Sequence, residues 1–218
     1  MLILDICKMY VYIIFMRKKT NRDKLLEHGL RVIHEQGLAG ASMRDIAAAA
    51  GVPLGSFTNH FSNKTAFALE IIDTYRQSSH AMIDATLLNR QLPPLQRLGD
   101  FIDVSCDYLA EDDMRNGCLC GNIAAEINAH AEEVRVKIGN VFSTDKEAIA
   151  ICLGDAVAQG ELSDQVDVDE LAGFIMSSLQ GAFLVSKVDR NPESVQRFKR
   201  TLFSITLAPW RLSKKLQA

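Results

Sequence analysis

Apolar positions recur along this 218-residue chain at steps of three and four, the period of a helix with one buried face. Leu26, Leu30 and Ile33 form the first stripe, behind a cap from Thr20 or Asn21, and Gly37 ends it. A compact unit runs from Ser42 to Phe61. Ser42 suits a helix cap, and Asp45, three residues on, can reach back to it as a capping box does. Ile46 and the alanines after it make a short helix. Ala47 and Gly51 share its face and are small enough for a second helix to cross there. Gly51 permits the left-handed turn that ends this helix, and Pro53 suits the first position of the next. That next helix turns Phe57 and Phe61 inward and presents Gly55, Ser56, Thr58, Asn59 and His60 as a small polar surface. The pattern predicts a helix-turn-helix, a unit that places a few side chains in a DNA groove.

Ser62 is expected to cap a fourth helix from about Lys64 to Tyr75, continuing toward Leu88, with a domain boundary near residue 80. Pro93-Pro94 marks a break. Leu95 to Leu109 reads as helix, with Leu98, Ile102 and Cys106 in register, followed by an acidic loop from Glu111 to Asn116. Ile123 to Val141 and Thr144 to Ala158 read as two helices parted near Phe142 and Ser143, and Gly160 closes the second. Two strongly patterned segments end the chain. Leu171, Phe174, Ile175, Ser178, Leu179, Ala182 and Phe183 mark one, Val195, Phe198, Leu202 and Ile205 the other, with Asn191-Pro192 between them. Such a helical hairpin has two uses for its apolar faces: the subunit's own core, or a two-fold interface in which two hairpins make a four-helix bundle. In the second use Leu171, Phe174, Ile175, Leu179, Phe183, Phe198, Leu202 and Ile205 form the dimer surface.

Composition agrees with an all-α fold: 48% hydrophobic, 7% aromatic, only 5 prolines, and no β-branched run alternating with polar residues. The net charge of −3 looks wrong for a DNA binder until it is divided. Residues 17–76 hold nine Lys or Arg against six Asp or Glu, and residues 77–218 hold fourteen against twenty. The helix-turn-helix thus lies on the basic end, as phosphate attraction requires. Cys7, Cys106, Cys118, Cys120 and Cys152 are odd in number with no Cys-x-x-Cys pair, which points to reduced thiols in a cytoplasm. Cys118, Cys120 and His130 match no common zinc spacing, so no metal is expected, and no cofactor. A phosphate loop and a nucleophile elbow are both missing, which argues against an enzyme. Residues 1–16 are an apolar extension whose positive charges, Arg17 to Lys19, follow it rather than precede it. That order is not a signal peptide's, and the run is shorter than the ~20 residues of a membrane helix, so no membrane partner is expected. A start of translation at Met16 would leave an ordinary basic arm.

From Arg22 to Tyr75 the chain resembles the DNA-binding domain of the tetracycline-repressor (TetR) family of bacterial regulators. The residues that carry the likeness are Gly37, Ser42-Met43-Arg44-Asp45-Ile46-Ala47, Ala50-Gly51-Val52, Gly55-Ser56-Phe57, His60-Phe61 and Lys64. The resemblance implies an all-helical homodimer on double-stranded operator DNA. Residues 19–79 would be the DNA-binding domain, and 80–218 a ligand-binding and dimerisation domain whose effector pocket sets the spacing of the two heads. It also implies a repressor released by a small-molecule or electrophile effector. Ser56, Thr58 and Asn59 are placed for base or sugar contacts, His60 and Lys64 for phosphate, and Arg44 for backbone or a base edge, within a set completed by Ser42, Gly55 and Phe57. Thr58 stands where the family usually has tyrosine and Leu54 where lysine is common, removing two backbone anchors. The alternative is therefore a helical adaptor that has lost specific DNA binding. Asn116 to Asn122, with Glu126 after it, resembles a subset of the family with Gly-Cys-Leu at this place. That likeness makes Cys118 a candidate electrophile or oxidant sensor; the other reading is a small buried apolar residue.

Overall fold

A computed structural model describes residues 19–129 and 131–212. The apolar extension, Cys7, Met16, Arg17, Lys18 and His130 lie outside the described residues. Among those described the chain is all-α: nine α-helices, α1 (Asn21–Gly40), α2 (Met43–Ala49), α3 (Leu54–His60), α4 (Lys64–Ala85), α5 (Pro94–Ala110), α6 (Leu119–Ala125), α7 (Glu132–Ala158), α8 (Val168–Asp189) and α9 (Glu193–Thr201). One isolated antiparallel bridge, Leu162 with Arg211, is the only extended pairing among the described residues.

The helix starts follow local chemistry. Thr20 caps α1 in a capping box with Asp23, and Ser42 caps α2 in another with Asp45. Asp167 caps α8, accepting from the amides of Asp169 and Glu170. The cap of α4 is Asn63, not Ser62: the Asn63 Oδ1 accepts the Ala66 amide at 2.8 Å. Both residues can cap, and the helix begins at Lys64, directly after the asparagine.

Three other expectations change. The buried face of α1 is Leu25, Gly29, Val32 and Ile33, with Leu26 and Leu30 only half-buried, so the stripe sits about one residue away. Helix α7 is continuous through Phe142 and Ser143. Its buried positions Val134, Ile138, Val141, Ala148, Ile149, Cys152 and Ala156 keep helical period across them, and no glycine or proline interrupts the backbone there. The break falls earlier, at a single 3₁₀ turn over Ile127–Ala129. Gly51 is exposed with open space where a Cβ would stand. It serves no helix crossing; its φ of +63° serves the turn.

The chain divides into two compact units. One comprises the residues up to Ala81 with Leu119–Val141, the other Met82–Cys118 with Phe142–Ala218. Helix α6 and the first part of α7 thus group with the N-terminal helices, whereas the sequence placed all of 80–218 together. The second unit has its own core around Leu98, Ile102, Ile149, Leu153, Ile175 and Leu179. Arg97 is fully buried within it; its guanidinium donates to the Leu87 carbonyl at 2.9 Å and to the Asp155 carboxylate at 2.8 Å. Helix α8 is long and apolar enough to cross a membrane by length and composition, but Leu171, Ala172, Ile175, Leu179, Ala182 and Phe183 are buried in this core.

Candidate nucleic-acid interface

Helix α3 is seven residues long and amphipathic on a short scale. Phe57 is its anchor. That ring is fully buried and packs against Phe61 at 5.3 Å and Phe67 at 4.9 Å between centroids, and Phe61 meets Phe67 at 4.8 Å. Offset and edge-on aromatic contacts at these separations are favourable beyond simple burial. The Arg22 guanidinium lies over the Phe61 ring at 5.7 Å and pairs with Glu70. One side of α3 is thereby fixed to α1 and α4, and the other is left to solvent.

Gly55, Thr58, Asn59 and His60 are exposed on that side, with Leu54 beside them and Ser56 half-buried. The Thr58 hydroxyl donates to the Gly55 carbonyl at 3.1 Å, a partner on its own helix. The Ser56 hydroxyl accepts from the Asn21 side-chain amide at 3.1 Å. Ser42 and Arg44 are exposed at the start of α2. The Ser42 hydroxyl and amide hold the Asp45 carboxyl below the ordinary carboxylate range.

Two expected members of the set have partners within the protein. Phe57 cannot touch DNA, because the aromatic cluster encloses it; its contribution is to orient α3. Lys64 donates to the Ala39 carbonyl at 3.1 Å. Burial lowers the pKa of this ammonium, and the Glu126 carboxylate acts in the opposite direction. Asn21 and Arg22 were not anticipated. Their partners are 35 and 48 residues away, a separation that no local pattern announces.

In the second unit Cys118 is partly buried, and the Gln180 side-chain amide donates to its sulfur at 3.7 Å. The aliphatic part of Lys187 packs beside Gly117. Cys106, Cys120 and Cys152 are buried. The hairpin residues divide sharply. Leu171, Ile175, Leu179, Phe183 and Leu202 are buried in the subunit's own core, and Phe198 is partly buried against it. The helical period turns Leu171, Ile175, Leu179, Phe183 and Leu202 inward, against the expectation that they face a second copy. Phe174 and Ile205 are exposed, and Leu184, Val185 and Val188 join them.

Two family models match the chain: "Bacterial regulatory proteins, tetR family" over residues 25–71 and "Tetracyclin repressor-like, C-terminal domain" over residues 94–202. The HTH-type transcriptional repressor DhaR of Mycobacterium sp. (strain GP1) is 31% identical over 192 residues, covering 88% of this chain and 95% of that protein. The transcriptional regulator AcuR of Cereibacter sphaeroides is 33% identical over 177 residues, 81% of each chain. The crystal structure of a regulatory protein TetR from Rhodobacter sphaeroides matches with a TM-score of 0.80 at 32% identity, covering 84% of this chain and 97% of that one.

Proposed function

The chain belongs to the TetR family of DNA-binding transcriptional regulators, and from that premise we propose a homodimeric repressor that reads its operator with α3 and leaves it when an effector binds the second unit. The observation that carries the reading is the two-sided α3: Phe57 locked in an aromatic cluster, with Gly55, Thr58, Asn59 and His60 free on the opposite side. A short helix held that rigidly at its back can enter a major groove without being remodelled. Asn59 and Ser56 supply base or sugar contacts, and His60 and Arg44 approach phosphate. The protein acts in the cytoplasm, where operator DNA is found, and no catalytic step is assigned to it.

A gel-shift titration against the DNA upstream of its own gene tests this. Specific binding that weakens steeply with salt is expected, and Asn59→Ala should weaken it roughly tenfold, as for the loss of one good base contact. Absence of any shift at low salt would instead favour an adaptor that has lost DNA binding.

Cys118 is the proposed effector site. It is the most accessible of the four described thiols and has a polar amide, Gln180, against its sulfur. Addition of its S–H across the activated double bond of a quinone forms a C–S bond and leaves the proton on the acceptor, and the added bulk cannot be held in the packed surroundings. Quinone treatment of the protein–operator complex should release wild type and spare Cys118→Ser. Equal release of both would discard the site.

A further inference from the structure

Gly37 interrupts α1 with φ 78° and ψ 160°, after which a single helical turn leads on to Ala41. A kink of this kind removes the intrahelical acceptor from the amides just beyond it. One of them, Ala39 N–H, is taken by the Glu126 carboxylate at 2.8 Å. The Ala39 carbonyl accepts from the Lys64 ammonium at 3.1 Å. The Ala39 backbone is thus gripped on both its polar groups, by side chains 87 and 25 residues away, of opposite charge. Glu126 directly follows the last residue of α6, and Lys64 is the first residue of α4.

The site is closely fitted. A Cβ on Gly37 would stand 2.0 Å from the Glu126 Oε1, so glycine is required both by the positive φ and by the carboxylate that occupies the space a side chain would need. Leu38 and Ala41 on either side of the gripped residues are buried. Ala39 lies three residues before Ser42, the cap of α2. Whatever fixes Ala39 therefore fixes the point where the helix-turn-helix begins.

We propose that Glu126 is a positioning residue for DNA reading: its carboxylate, seated in the Gly37 notch and paired across Ala39 with Lys64, latches the end of α1 and sets the orientation of α2 and α3. This rests on the DNA-reading role of α3. Charge-assisted hydrogen bonds donated by a backbone N–H to a carboxylate are short and strong. They are also directional, as a positioning contact must be. The latch explains why a glycine, a glutamate and a lysine far apart in sequence meet around one residue.

The test uses the full-length protein as wild type, Glu126→Ala, Glu126→Gln and Gly37→Ala. Two quantities are read: affinity for the upstream DNA, and hydrogen–deuterium exchange at the Ala39 amide. Loss of the acceptor in Glu126→Ala should speed Ala39 exchange at least tenfold and weaken DNA binding at least tenfold. Thermal melting should show the protein still folded. Glu126→Gln keeps an amide oxygen that can accept from Ala39, and should recover most of both. Gly37→Ala should resemble Glu126→Ala. Wild-type DNA affinity in a folded Glu126→Ala would overturn the proposal, as would unchanged exchange at Ala39. Should wild type bind no upstream fragment, the DNA-reading role fails by itself, and Ala39 exchange still decides whether the latch exists.

Discussion

Ser42 and Asp45 show how much one pair of side chains can fix. The Ser42 hydroxyl accepts the Asp45 amide at 3.1 Å, and the Asp45 carboxylate accepts the Ser42 amide at 3.2 Å. Ser42→Ala removes half of this box and should cost about 1 kcal/mol of stability, the usual worth of a cap, measured as a lowered thermal midpoint. The Ser42 hydroxyl and, second to it, the Ser42 amide both donate to the Asp45 carboxylate and lower its pKa from 3.8. A carboxyl that binds its proton more weakly when folded adds stability above its unfolded pKa and loses it as pH falls through the lower folded value. The stability gap between wild type and Ser42→Ala should therefore narrow on acidification below about pH 4, down to the part owed to the hydroxyl that accepts the Asp45 amide. Cys152 has the opposite sign. Burial raises its thiol pKa from 9.0 to about 11, so the unfolded chain loses that proton first, and stability falls as pH rises between these values. Alkylation at pH 8 followed by mass spectrometry should label Cys118 and leave Cys152 unmodified until the protein is denatured. The Ser42–Asp45 box was legible because its partners are three residues apart. The Asn21–Ser56 and Glu126–Ala39 contacts were not, since each joins segments brought together only by folding.

At the scale of elements, periodicity locates helices well and their interruptions poorly. Helix α5 follows the predicted register, with Leu98, Ile102 and Cys106 buried on one face. At the division expected near Phe142 and Ser143 the helix carries Ser143 and Thr144. A serine and a threonine on a helix with an intact buried stripe do not outweigh that stripe, because tertiary burial dominates intrinsic propensity. Composition is equally silent about Arg97, a charged residue at the centre of an apolar pattern. It ties the stretch after α4, through the Leu87 carbonyl, to Asp155 on α7. Arg97→Ala would leave that carbonyl unpaired inside the core and Asp155 without its partner. The expected cost is about 3 kcal/mol, somewhat reduced because Asp155 is partly solvated. Urea unfolding would measure it. An Arg97→Met/Asp155→Leu double variant should recover a large share, since apolar residues of similar volume can replace a buried pair.

For the whole molecule, the exposed side of the C-terminal hairpin is the feature a single chain leaves unexplained. Leu184 is 62% exposed, Val188 74% and Ile205 67%, with Phe174 and Val185 near half. On α8, Phe174, Ser177, Gly181, Leu184, Val185 and Val188 follow one another at helical spacing, so the apolar side chains form a connected strip with small residues between them. Strips of this size on a soluble protein mark an interface, and small residues within one let a second helix approach closely. Pairing with the same strip of a second copy is isologous, consistent with a regulator whose operator contains two half-sites. The broad apolar face that the sequence showed is thus two faces: Ile175, Leu179 and Phe183 build the subunit, and the residues one step around the helix are exposed. A hydropathy pattern cannot separate them, because both are apolar and adjacent in period. Leu184→Glu and Val188→Glu together should convert the dimer to a folded monomer in sedimentation velocity. They should also reduce operator affinity far more than Asn59→Ala, since a lone head forfeits the second half-site about 34 Å away. Two heads also neutralise more phosphates than one, so the slope of log affinity against log salt should fall to about half. A dimer that persists in the double variant would move the interface to another face of the second unit.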